Sequence, residues 1–513
     1  MSDQTAPAVV MDDGLNLEMQ DRDAGACREM SRRRFLRSSA AGVVTGAIGI
    51  ERPLPGMPLS QSDAVPARSG ANGRRILLKG GIVLSMDRNV GDFEKADVLI
   101  EGKKIAAVGP NLKAAAEVID ATDRIVMPGF VDTHHHQYQA VLRSLIADAL
   151  LQDDYNRVIN NPGALNAFFK PDDAYIGELL ASVSQMRAGV TTSVDLSQVS
   201  HSPAHSDACI AGLKEAGRRT VFGYSAGQGP ANRYPQDIVR LRSQYFSSDD
   251  QLLTLALHAG IDAKLWEVGR QAGVPIISHA TSADIAAQLI ALDRDGLMGA
   301  DNEYIHCTHF PAAVWERIRD TGGKVSIAPA VEMQEGHGVP PFQAALDHGI
   351  RASLSTDVET SMTSDLFTIM RTAFTVQRMF INERRYNGEK NLPAWLTCRD
   401  VLEMATIEGA RVAHLDHKVG SLTPGKEADI LLLRTDDINV FPLNNAPGAV
   451  VTLMDTSNVD TIFVAGKIMM WKGRLAGVDL KRLRRLADRA RDGILSRANY
   501  RPSLLNTCCP RTK

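Results

Sequence analysis

Pro128-Gly129-Phe130-Val131-Asp132-Thr133-His134-His135-His136 is an apolar run that ends in three consecutive histidines. Side chains two apart on a strand share a face. His134 and His136 are therefore expected to point to one side together, and His135 to the other. Imidazole nitrogens bind zinc at about 2.0–2.1 Å, and two of them at one strand end can share an ion. A solvated basic patch is the competing explanation, but it does not account for the apolar run that leads into the histidines.

The same kind of unit recurs downstream: a short apolar run closing on a polar residue, then a helical pattern. The runs span 125–132, 190–195, 220–225, 252–258, 274–279, 303–306, 324–329 and 350–357, eight in all. Helical patterns fill 171–187, stopped by Gly189, and 206–215, stopped by Gly217. Alternating strands and helices imply a parallel sheet, and eight such units a closed (β/α)8 TIM barrel with its chemistry at the C-terminal strand ends. An open doubly wound sheet is the alternative, but no glycine-rich phosphate loop follows the first strand. Two β-rich flanks, 75–108 and 428–471, are each too small to fold comfortably alone. Together they read as one small β-sandwich. The expected layout is sandwich 74–127, barrel 128–415, sandwich 416–475, then a C-terminal helix and tail, 476–513.

Composition adds limits. The chain has 513 residues, a formal net charge of −3 and 23% charged residues. That balance gives no reason to expect nucleic acid or an acidic membrane as partner. No apolar run reaches the ~18–20 residues of a membrane span. The six cysteines, with Cys508 and Cys509 adjacent, form no metal or disulfide framework. The N-terminus is distinctive. Ser31-Arg32-Arg33-Arg34-Phe35-Leu36-Arg37 precedes a weakly apolar run, 38–50, and small residues suited to cleavage stand at Val65-Pro66-Ala67. This is the pattern of a twin-arginine export signal, so residues 1–67 are expected to be a signal peptide. The twin-arginine translocase is the implied partner, and the periplasm or the exterior the destination.

Two more histidines close barrel runs, His279 and His306, with His309 shortly after, and Asp357 closes the eighth. A carboxylate there can touch a metal and take a proton from water. On these residues the chain resembles the amidohydrolase superfamily, in the branch with cytosine deaminase, 8-oxoguanine deaminase and the s-triazine hydrolases. Pro128-Gly129 with the paired histidines matches the first-strand motif, Leu354-Ser355-Thr356-Asp357 the last. The stretch 419–430, with Pro424-Gly425-Lys426-Glu427-Ala428-Asp429, matches the return into the small domain. The resemblance spans about residues 74–475. It implies that His134, His136, His279 and Asp357 bind one divalent metal, and that His306 orients substrate or water. Zinc is the first choice, with iron, manganese and cobalt also suited to such ligands. No lysine ends the fourth strand, where His258 stands, and this favours one metal over two.

One departure bears on chemistry. Deaminases of this branch carry a glutamate three residues after the fifth-strand histidine. Here that position is Ser282, which cannot carry protons as a carboxylic acid does. Asp357 is then expected to serve as acid and base, with Glu332 as a substitute acid or a ligand for a substrate amine. Gln139, Arg143, His258 and His337 are weaker candidates for substrate contact, and His201 and His205 for lining. The leading expectation is hydrolysis of a non-peptide C–N bond in a small amide, urea or carbamate. The alternatives are a deaminase or dehalogenase acting on a heteroaromatic ring, and an exported binding protein that has lost catalysis. Self-association is left open.

Overall fold

The computed structural model describes residues 64–505, so the arginine motif, its apolar run and the Cys508-Cys509 pair lie outside the described residues. Eight parallel strands form the barrel: Phe130–His135, Val190–Ser197, Arg219–Tyr224, Leu253–His258, Ile276–Ala280, Asn302–His306, Lys324–Ile327 and Ser353–Leu354. Each pairs with the next. Just past the eighth strand the Asp357 N–H donates to His134 O, and the His136 N–H donates to Asp357 O, both at 2.9 Å. This parallel bridge joins the last strand to the first. Barrel closure and the candidate site thus share the same residues.

All eight expected runs overlap a barrel strand. The first is divided, however. Arg124–Pro128 belongs to the flanking sheet, where it pairs with Ile430–Arg434, and only Phe130–His135 enters the barrel. Gly129 is the joint: a Cβ there would lie 2.0 Å from Thr191 Oγ1. Only a residue without a side chain lets the chain cross between domains at this distance. The helix expected at 206–215 runs Pro203–Ala216, because Pro203 is accepted at the first helical position, where no N–H bond is needed.

The two flanks form one nine-stranded sheet in the order Arg474–Leu475, Lys467–Trp471, Val459–Val464, Ile430–Arg434, Arg124–Pro128, Arg75–Val83, Phe93–Glu101 and Lys104–Gly109, with Glu117–Asp120 beside Arg75–Val83. Ile105 and Ile468, from strands near opposite ends, share one buried cluster with Leu78, Val98, Ile430 and Phe463. The sheet therefore folds over a core of its own. Arg219 ties this domain to the third barrel strand. It is 1% exposed and grips Asp429 through two bonds of 3.0 and 3.1 Å and Glu427 through one of 2.6 Å. Burial opposes its charge, but the two carboxylates outweigh that and raise its pKa. The C-terminal helix Leu480–Arg497 lies against Pro171–Arg187, with Leu483 packed on Leu179 and Val183 and Arg497 paired to Asp173. Among the described residues no helix is long and apolar enough to cross a membrane.

Candidate active site

The first strand delivers its histidines as alternation requires. His134 and His136 face the barrel mouth. His135 turns away, with Nδ1 2.7 Å from Thr356 Oγ1, in a network held by buried Asp132. His134 Nε2 is 3.1 Å and His136 Nε2 3.7 Å from Asp357 Oδ1. His136 Nδ1 bonds to Leu196 O at 3.1 Å, which places its proton there and leaves Nε2 free to accept. His279 Nδ1 is 2.9 Å from His258 Nε2, and the His258 Nδ1 contacts Ser225 Oγ, also at 2.9 Å. His306 Nε2 lies 3.7 Å from Asp357 Oδ2, and its Nδ1 is 3.1 Å from Glu332 Oε1. His306 and Asp357 both have left-handed backbone, φ 72° and 64°. Such conformations are unfavourable for non-glycine residues, and here barrel pairing imposes them.

Burial lowers the pKa of His134, His136 and His279, that of His136 to about 3 and that of His279 well below the usual value. Their rings are neutral at pH 7, which is the form that binds metal. For Asp357 burial opposes ionisation, yet its interaction and hydrogen bond with the adjacent His134 ring, together with the attraction of His306, outweigh it and hold the carboxyl well below the usual range. His306 shifts the other way: burial lowers its pKa, but the Glu332 hydrogen bond and the Asp357 charge raise it overall.

This donor set fits a divalent cation. Ligating atoms of His134, His136 and Asp357 lie within 4.8 Å of one another, and so do those of His134, His279 and His306. His134 also keeps a buried ring nitrogen, Nδ1, with no hydrogen-bond partner. Above the cluster is a cavity of about 220 Å³ lined by His136, His279, His306 and Asp357 together with Tyr155, Asn160, Gln198, Thr281, Glu335 and His337.

The other candidates lie as follows. Glu332 is fully buried behind His306, where its Oε1 also accepts the Ala328 N–H, and it does not reach the cavity. It is placed to orient His306, not to serve as the substitute acid. Gln139 stands behind the wall and donates to Tyr155 Oη at 2.7 Å. Arg143 pairs with Glu359 in a separate surface groove. Neither of those two lines the cavity. His201 bonds to Asn166 O, and His205 to Phe169 O, so both hold loops in place. His258 backs His279, and His337 does line the cavity. Sequence reasoning missed Tyr155, Asn160, Gln198, Thr281 and Glu335. Tyr155 and Asn160 come from a loosely wound helix, Leu151–Asn160, in the first loop, where no periodicity marks them.

Eight strands closed into a barrel, with histidines and an aspartate converging at their C-terminal ends, define a metal-dependent hydrolase. The amidohydrolase family model matches residues 125–469, and the chain belongs to that family. It is an enzyme acting on carbon–nitrogen bonds other than peptide bonds. The chain is 29% identical over 458 residues to a 5'-deoxyadenosine deaminase of Methanosarcina mazei, covering 83% of this chain and 99% of the relative. It is 28% identical over 450 residues to a 5-methylthioadenosine/S-adenosylhomocysteine deaminase of Syntrophus aciditrophicus, covering 82% and 98%. Among solved structures, an adenosine deaminase from Xanthomonas campestris with bound zinc superposes with a TM-score of 0.73 at 22% identity, covering 83% of this chain and 100% of that one. The zinc complex of atrazine chlorohydrolase from Arthrobacter aurescens gives 0.69 at 21%, covering 81% and 100%.

Proposed function

We propose that the protein is a single-zinc aminohydrolase, which exchanges the amino group of a neutral nitrogen heterocycle for oxygen and releases ammonia. The observation that carries this is the position of Asp357. Its carboxylate stands at the cavity floor between the His134–His136 pair and His306, where one group meets both the metal ligands and the substrate space. The relatives named as deaminases, aligned over nearly their whole length, favour an amine as leaving group. The cavity lining includes no lysine or arginine that would select a phosphate or carboxylate on the substrate.

In this reading His134, His136, His279 and Asp357 hold the cation. A zinc ion there supplies Lewis acidity and lowers the pKa of water to about 7. Asp357 takes a proton from the attacking water and gives it to the departing amine. His306, fixed by Glu332, donates a hydrogen bond to the oxygen that bonds to carbon.

A second reading is hydrolysis of an amide, urea or carbamate. It rests on Ser282, whose side chain is not part of the cavity wall and supplies no carboxylic acid. Mass analysis of products separates the two, using zinc-loaded protein with 5'-deoxyadenosine, 5-methylthioadenosine, adenosine, atrazine and small ureas and carbamates. An intact ring with oxygen in place of the amino group, plus ammonia, is expected. Chain cleavage with release of an amine would give the second reading instead, and halide release would indicate a dehalogenase. Twin-arginine export remains part of this proposal, supported by Ser31 to Arg37.

A further inference from the structure

Ser282 leaves the cavity without a proton carrier at the position where deaminases of this branch place one. An unused pair, His337 and Glu335, lines the cavity. His337 is buried, its side chain only 5% exposed, and neither ring nitrogen has a hydrogen-bond partner among the described residues. The ring lines the cavity with its centroid 4.8 Å from that of His306, edge to face. Its ligating nitrogen comes within 4.8 Å of those of His306 and Asp357. Glu335, 2% exposed, lines the same wall with Oε2 3.5 Å from His337 Nε2, and its Oε1 accepts from Ser361 Oγ at 2.6 Å.

The backbone aims this pair inward. The helix Pro329–Gln334 ends at Glu335, and Gly336 follows with φ 75°. The His337 N–H bonds back to Glu332 O at 2.9 Å. Gly338 has φ 130°, and a Cβ there would lie 2.5 Å from His309 Nε2. His309 Nε2 in turn bonds to His337 O at 3.1 Å. A left-handed glycine on each side and a histidine clamp on the carbonyl fix a residue whose ring nitrogens make no hydrogen bond among the described residues. A buried imidazole without hydrogen bonds costs stability, and its place in the cavity wall accounts for it.

We propose that His337, backed by Glu335, is a catalytic proton carrier that replaces the missing carboxylic acid. The inference rests on the aminohydrolase reading. The charged and titratable groups near the ring include Glu335 from its own loop, His306 from the sixth strand, Asp357 from just past the eighth and His134 from the first. As Asp357 takes one proton from water, the water oxygen bonds to the amino-bearing carbon. Protonated His337 gives its proton to the adjacent ring nitrogen, and the C=N π electrons move onto that nitrogen. The C–N bond to the amino group then breaks, and its electron pair takes the proton held by Asp357, so ammonia leaves. The new hydroxyl returns its proton to His337 and becomes the carbonyl. Both residues finish as they began, and one water is consumed for each ammonia.

The test uses the full chain loaded with zinc and ammonia release from 5'-deoxyadenosine, 5-methylthioadenosine and adenosine. His337→Ala is expected to lose about 10²-fold or more in kcat, with KM changed by less than about threefold. Its zinc content should be unchanged, and free imidazole should restore part of the rate. Glu335→Gln should lower kcat by about tenfold or more with KM little changed, because the carboxylate no longer holds the ring in place. A kcat within about threefold of wild type in His337→Ala, a loss confined to KM, or a loss of zinc would overturn the proposal. So would a kcat in Glu335→Gln within about twofold of wild type. If the wild type releases ammonia from none of the three, the aminohydrolase reading fails separately. Imidazole rescue of His337→Ala, on whichever of the screened ureas, carbamates or triazines the wild type does turn over, then decides on His337. A partly restored rate supports a proton carrier, and a rate that imidazole leaves unchanged overturns it.

Discussion

Asp357 carries more of the account than any other residue, since it closes the barrel, meets two candidate metal ligands and faces the cavity. Asp357→Asn keeps the shape but removes the proton acceptor, so kcat should fall by about 10³-fold or more at matched zinc content. Near-wild-type turnover would remove Asp357 from the mechanism. Glu332 works through His306. Glu332→Gln should cost about 10- to 100-fold, the scale of lost partners behind a site residue. It should also move the limb that His306 governs to lower pH, because Glu332 helps to raise the pKa of His306. A rate loss with an unmoved profile would mean a purely structural role. His134, His136, His279, His306 and Asp357 could be picked out in the sequence because each ends an apolar run, where strand geometry fixes its direction. Glu332 could not be placed that way. A short helix opened by Pro329 buries it and leaves Glu335 and His337 at the surface of the cavity instead.

At the scale of elements, the eight runs were legible because parallel strands buried on both faces read as nearly continuous apolar stretches. The divided first run was not, since Arg124–Pro128 and Phe130–His135 are equally apolar and only the three-dimensional approach of Thr191 explains Gly129. The first loop was illegible for a similar reason. Leu151–Asn160 owes its place to contacts such as the Leu151 N–H to Glu335 O bond of 2.8 Å, which no local pattern encodes. The helix Pro171–Arg187 presses on the turn that follows the histidines: a Cβ on Gly177 would lie 2.3 Å from Tyr138 O. Backbone cannot yield as a flexible side chain can. Gly177→Ala should therefore cost about 1–3 kcal/mol, as overpacking does. Thermal unfolding would show a lowered Tm, and an unchanged Tm would mean that the helix is free to move away from the turn.

For the whole molecule, the sequence allowed the barrel and its composite flanking sheet to be anticipated, while the substrate depends on a cavity assembled from several separate loops. The proposed export belongs to the scale of the full chain. Replacing Arg32 and Arg33 together by lysine should retain the precursor in the cytoplasm, because the translocase reads the arginine pair as an address. Normal arrival of the variant in the cell envelope, followed by fractionation and immunoblotting, would reduce the N-terminus to a tail. The central claim, one metal at the strand ends driving C–N hydrolysis, is tested most directly by returning zinc to chelated protein while ammonia release from 5'-deoxyadenosine, 5-methylthioadenosine and adenosine is followed. Turnover should be absent without metal and should rise linearly, levelling off at about one zinc per chain, the number a single tetrahedral ligand set holds. Activity in the metal-free protein, or a rise that continues to a second equivalent, would contradict it.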